Sequence, residues 1–115
     1  MSDLTDVIQR IRAFRDARDW MQFHDPKNLA CSIAIEAAEL LEHFQWKTPA
    51  QGEQHAVAKK DELSEEIADV AVYLLELCDN LGIDLIAAIH RKMAINEAKY
   101  PVEKSKGSAA KYTEL

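Results

Sequence analysis

"IEAAELLEHFQW", residues 35–46, sets aliphatic side chains three and four apart and interleaves them with Glu36, Glu39 and Glu42. That spacing is the period of an amphipathic helix. At about 100° per residue, with Glu36 as origin, Leu29, Leu40, Ile33, Phe44 and Ala37 fall in the next quarter turn or so, while Glu39 lies at about −60°. "EIADVAVYLL", residues 66–75, repeats the arrangement. With Glu66 as origin, Leu77, Val70, Leu63, Leu74 and Ile67 form the stripe and Asp69 lies at about −60°. Each helix therefore carries an acidic pair along the same side of its apolar stripe.

This has a geometric consequence. If the two stripes face each other in antiparallel helices, both acidic edges fall on one side of the interface; parallel packing would set them on opposite sides. An up-down bundle is the antiparallel case. Glu36, Glu39, Glu66 and Asp69 are therefore expected to converge, whereas Glu42, about 240° from Glu36, is expected to be solvated.

The rest of the chain fits helices. Three glycines and three prolines in 115 residues, with 48% hydrophobic content, favour an all-α architecture. The reading is an antiparallel four-helix-bundle type, residues 1–115 forming a single domain with a basic tail at 99–115. The first helix is expected from about Leu4 to Ala17. Asp25 as N-cap and Pro26 at the first helical position start the second, which runs to about Gln45. "KTPAQGEQH" reads as the main loop because it holds Pro49 and Gly52. The third helix is expected over about Val57 to Leu81, with Gly82 as its C′ residue, and the fourth over about Leu85 to Ala98, capped by Asp84. In a domain this small, homo-oligomerisation would help to bury apolar surface.

Charge and composition exclude several classes. A net charge of −6 argues against a nucleic acid polymer as partner. The charge is uneven: residues 99–115 carry +2 and the remainder −8, an acidic body and basic tail suited to a ligand that combines metal and phosphate. No apolar run approaches the roughly 20 residues of a membrane span, and no signal-peptide core is present. Cys31 and Cys78 lack partners at metal spacing and read as reduced thiols of a cytoplasmic protein.

Spacing alone does not make the acidic pairs a site. The chain has seven i,i+3 acidic pairs, and Asp16/Asp19, Glu62/Glu65 and Glu76/Asp79 read as solvated faces. Four carboxylates at a core edge repel one another, and neither motif contains a lysine. A hard divalent cation, Mg²⁺ in the first instance and Mn²⁺ as substitute, would offset that repulsion. The alternative is that the pairs splay into water or meet lysines of the last helix such as Lys92.

ExxE (Glu36, Glu39) followed by ExxD (Glu66, Asp69) resembles the MazG-like all-α nucleoside triphosphate pyrophosphohydrolases. The flanking text "RDWMQFHDPKNL", "EAAELLEHFQW", "EIADVAVYLL", "KMAINEAKYP" and "KGSAAKYTEL" is similar to the dCTP pyrophosphatase branch. The likeness runs from about Phe14 to the C-terminus.

It implies Mg²⁺-dependent hydrolysis of a nucleoside triphosphate, dCTP first, to the monophosphate and pyrophosphate in nucleotide-pool housekeeping. It also implies a homo-oligomer, a dimer or homotetramer. By the same resemblance Glu36, Glu39, Glu66 and Asp69 hold the metal, and Glu39, with Glu36 beside it, is assigned the catalytic proton transfer, although the sequence does not rank the four. Trp20, Trp46 and Tyr73 line the base and sugar pocket. Lys92, Asn96, Lys99 and Tyr100 contact phosphate, and Lys111 and Tyr112 close over the ligand from the tail. His24 and His43 read as structural. One departure is Ile11, where members of the family carry a polar residue, which loosens the expected preference for cytosine. Two further readings stay open: a MazG-like enzyme for another or a 5-substituted triphosphate, and a non-enzymatic helical interaction module.

Overall fold

Capping chemistry sets most helix boundaries. The computed structural model describes residues 3–115, and its described residues are helical without a strand. Helix α1, Leu4–Ala17, starts where the Asp3 carboxylate accepts from the Asp6 N–H. Helix α2, Pro26–Glu42, starts where Asp25 accepts from the Asn28 N–H at 2.8 Å with Pro26 at the first position. Both caps satisfy amides that have no partner within the helix. A short 3-10 turn, Met21–Phe23, joins the two.

The expected loop after α2 is instead mostly a helix. Helix α3 covers Pro49–Ala58, and helix α4 follows at Lys60–Leu81, so α4 begins after Val57, where the third helix was expected to start. Thr48 accepts from the Gln51 N–H while the Gln51 side chain accepts from the Thr48 N–H, a reciprocal capping box. Pro49 then occupies a first-turn position where a missing N–H costs nothing. Helix α2 also stops three residues early. His43–Trp46 forms turns that end on Trp46 at φ 67°, a left-handed conformation uncommon for a bulky side chain.

Gly82, at φ 68°, closes α4 as expected and ends the first of two structural units. Within that unit α4 is the spine, with α2 as its main partner and α1 and α3 packed more lightly. His24, just before α2, meets Glu76 near the end of α4, whereas His43, just after α2, lies near Glu66. Helices α2 and α4 therefore run antiparallel, as the wheel argument requires. Leu29, Leu63, Leu75 and Cys78 are buried, but Ile67 remains 55% exposed and Leu41 69%. The apolar stripes are wider than one chain covers.

The second unit, Ile83–Leu115, holds helix α5, Leu85–Lys99, capped by Asp84. The tail continues as helix α6, Val102–Ser105, and a 3-10 turn at Tyr112–Glu114. Among the described residues, no helix is long and apolar enough to cross a membrane. Cys31 and Cys78 are both free.

Candidate active site

The antiparallel seam of α2 and α4 collects the acidic edges. Glu36, Glu39 and Glu66 each present a carboxylate oxygen, and the three atoms lie within 4.8 Å of one another. One oxygen of Glu36 and one of Glu66 are buried without a hydrogen-bond partner. Burial raises the Glu36 carboxyl above the ordinary carboxylate range, helped by contact with Glu39 and by the charges of Glu39, Asp69 and Glu66. Burial likewise raises Glu66, with Glu39 as the next cause and Asp69 adding to it, while His43 opposes. Both groups resist losing their protons because one oxygen of each is withdrawn from water and the neighbouring carboxylates repel the anion. Unpaired oxygens in a tight acidic cluster fit a hard cation with oxygen ligands. Asp69 is not one of the three closest groups, yet its charge reaches both Glu36 and Glu66. Glu42 is exposed.

Asp69 also borders a cavity of about 490 Å³. Trp20 and Tyr73 line it, and Ile11 faces it from α1. Burial, then the charges of Glu36, Asp69 and Glu76, keep the Tyr73 phenol protonated to higher pH than usual, so it stays a donor. Trp46 is not among the cavity's walls and is 92% exposed. One chain therefore brings together Trp20, Tyr73 and the acidic cluster, and leaves Trp46 outside.

The remaining expected residues belong to the second unit. Lys99 lies 4.8 Å over the Tyr112 ring, and Tyr100 meets the same ring edge-on at 5.9 Å. The two tyrosines and Lys99 are thus one cluster that anchors the tail against the end of α5. Lys111 is the exposed N-cap of the last turn, and Lys92 and Asn96 lie four apart on α5.

Packing gives several residues around the site contacts that spacing did not show. Glu76 and Asp79 are not a solvated pair: Glu76 is 3% exposed, and Asp79 is clamped by Arg12 through Nε and Nη2. Glu76 lies on the same edge of α4 as Asp69, about 20° away, so wheel angle held the signal. Arg15 is buried beside it. His24, expected to be structural, lines the cavity. His43 Nδ1 is 2.9 Å from His55 Nε2, and His43 Nε2 is 4.0 Å from Glu66. Withdrawal from water, then Lys47 and His43, depresses the pKa of His55.

Comparison with known proteins identifies the family and the fold. The MazG-like family matches residues 31–115, a span that contains all four acidic residues. The chain belongs to the MazG-like family. dCTP pyrophosphatase 1 of Rattus norvegicus is 44% identical over 111 residues, covering 94% of this chain and 65% of that protein. The Homo sapiens protein of the same name is 40% identical, with the same coverage of each chain. The chain thus spans about two thirds of the length of these relatives, 65% in both cases. A pyrophosphatase from Archaeoglobus fulgidus DSM 4304 superposes with a TM-score of 0.84 at 48% identity, covering 88% of this chain and 94% of that one. The all-α fold is therefore that of a MazG-like pyrophosphatase.

Proposed function

We propose that this MazG-like chain hydrolyses a nucleoside triphosphate, dCTP in preference, to the monophosphate and pyrophosphate. One observation carries the reading: a tight acidic cluster with two unpaired buried oxygens adjoins, through Asp69, an aromatic-lined cavity large enough for a base. The pyrophosphatase names of the relatives support the same chemistry.

Glu36, Glu39, Glu66 and Asp69 would hold Mg²⁺, or Mn²⁺ in its place. When bound, the ion would neutralise charge on the phosphate oxygens and polarise a phosphoryl oxygen as a Lewis acid. Glu39, exposed at the rim of the cluster, accepts the proton of the attacking water, and Glu36 fixes the geometry beside it. Trp20 and Tyr73 hold the base by stacking, which tolerates any base. The family resemblance assigns Lys92, Asn96, Lys99 and Tyr100 to the phosphates and Lys111 and Tyr112 to closure over the ligand. Trp46, exposed and outside the walls of this cavity, would contribute only where a neighbouring chain presents it.

The test is pyrophosphate release from a panel of triphosphates with and without Mg²⁺. The expected result is Mg²⁺-dependent pyrophosphate, fastest from dCTP. Orthophosphate as product would overturn the reaction, and a faster 5-substituted or non-cytosine substrate would reassign the base.

Residues 1–115 act in this reading as one catalytic domain that works as a homo-oligomer. Exposed apolar side chains support assembly: Ile67, on the stripe of α4, is 55% exposed, and Ile35 of α2 is 59% exposed. Light scattering should give a mass of two or four chains. A mass of one chain would remove this part of the proposal.

A further inference from the structure

Behind the aromatic wall of the cavity lies a charged group that the reaction as drawn leaves idle. Glu76 follows Asp69 and Tyr73 along one edge of α4, with about 10 Å of axial rise between Asp69 and Glu76. Its side chain is 3% exposed and faces the cavity. His24 Nδ1 approaches both carboxylate oxygens, Oε1 at 2.9 Å and Oε2 at 2.7 Å. Only the Oε1 approach has the alignment of a hydrogen bond, and buried Oε2 has no aligned donor. Arg15 Nη1 is 3.9 Å from Oε1 and donates to Asn80 Oδ1 at 3.1 Å. Asn80 Nδ2 in turn donates to the His24 carbonyl at 3.5 Å. These four residues form a closed polar ring that ties the segment before α2 to α1 and α4.

The ring fixes a hydrogen position. A carboxylate only accepts, so His24 Nδ1 carries the hydrogen, and Nε2 is an acceptor whenever the ring carries a single hydrogen. Nε2 has no hydrogen-bond partner among the described residues. The imidazole lines the cavity with Trp20 at 6.3 Å on one side and Tyr73 at 6.4 Å on the other, between centroids.

We propose that Glu76 is a positioning residue for base selection: by holding the His24 Nδ1–H, it presents Nε2 as an acceptor for the exocyclic amino group of the base. The inference rests on the nucleotide-hydrolase reading above and adds a means of discrimination that stacking lacks. A base with a carbonyl at that position meets Nε2 acceptor to acceptor and leaves two buried groups unpaired. Ile11, on the facing helix, supplies no competing polar atom.

Glu76→Gln tests the idea because it replaces a group that only accepts with an amide whose NH₂ can face His24 Nδ1. The ring should then carry its hydrogen on Nε2 and donate where it formerly accepted. Nitrogen-resolved NMR of the His24 ring should show Nδ1–H in the unaltered protein and Nε2–H in E76Q. The ratio of kcat/KM for dCTP over dUTP should fall about tenfold or more, through KM for dCTP rather than kcat. In a His24→Asn background the same substitution should change the ratio no further, since Glu76 acts through His24. If E76Q does not fold by circular dichroism, Glu76→Asp, which keeps the charge but withdraws it from His24, should lower the ratio in a folded protein. An unchanged ratio in a folded variant, or an Nε2–H ring in the unaltered protein, overturns the role of Glu76. Failure of the unaltered protein to cleave any triphosphate instead overturns the hydrolase reading itself.

Discussion

Glu36→Gln and Asp69→Asn should each reduce pyrophosphate release from dCTP by about 100-fold or more while leaving the helical circular dichroism unchanged. Each amide keeps the shape of its parent and removes the charge a cation needs. Stability distinguishes loss of a site from loss of fold. Glu36 titrates above its ordinary range, so in cation-free protein its charged form is costly. A folded state that holds the proton more tightly than the unfolded chain loses stability as pH rises through the ordinary carboxylate range toward the raised value. Glu36→Gln should flatten that fall and leave the cation-free protein as stable as its parent, or more so, at neutral pH. Protons compete with the ion for the same oxygens, so the thermal shift caused by Mg²⁺ should grow with pH across that window. Activity retained in E36Q, or a Mg²⁺ shift that survives unchanged in it, would exclude the acidic cluster as the metal site.

Leu29→Ala should cost about 2–5 kcal/mol of unfolding free energy, read from the urea midpoint at fixed protein concentration. Leu29 is 1% exposed and lies one turn into α2, where that helix packs against the end of α4. Few side chains are so well buried in this chain, so little neighbouring core can relax into the space. Ile67→Ala offers the contrast. At 55% exposure it removes little buried surface within one chain, so a cost as large as that of Leu29→Ala would mean that a second copy covers it. A Leu29→Ala midpoint within experimental error of the parent would show that this contact is not central to the core.

How much of this was legible in the sequence varies by residue. The convergence of Glu36, Glu39 and Glu66 followed from wheel angle, because rotation about an axis is fixed by backbone geometry whatever the partner. Helix α3 was missed because Pro49 and Gly52 were weighed as breakers, while the Thr48/Gln51 spacing that caps the helix was passed over. Proline in a first turn is a start signal, so the two readings differ by a single position of register. The Glu76 group was missed for another reason. Its partners, His24 and Arg15, lie 52 and 61 residues away on other segments, and only packing brings them together. Trp46 shows the converse: the family resemblance assigned it to a pocket, yet a single chain leaves it outside the cavity that Trp20 and Tyr73 line.

The placement of the acidic residues on facing helices has a consequence for how the protein folds. Glu39 and Glu66 are separated in the chain by the whole of α3, and each of the two helices holds only half of the four proposed ligands. The proposed ligand set therefore would not exist until the α2–α4 seam has closed, and the entropy of closing the intervening segment must be overcome first. A cation that binds only the closed seam draws the folding equilibrium toward it by mass action. Cation uptake in a refolding experiment would then mark the docking of the two helices, separately from the formation of either one.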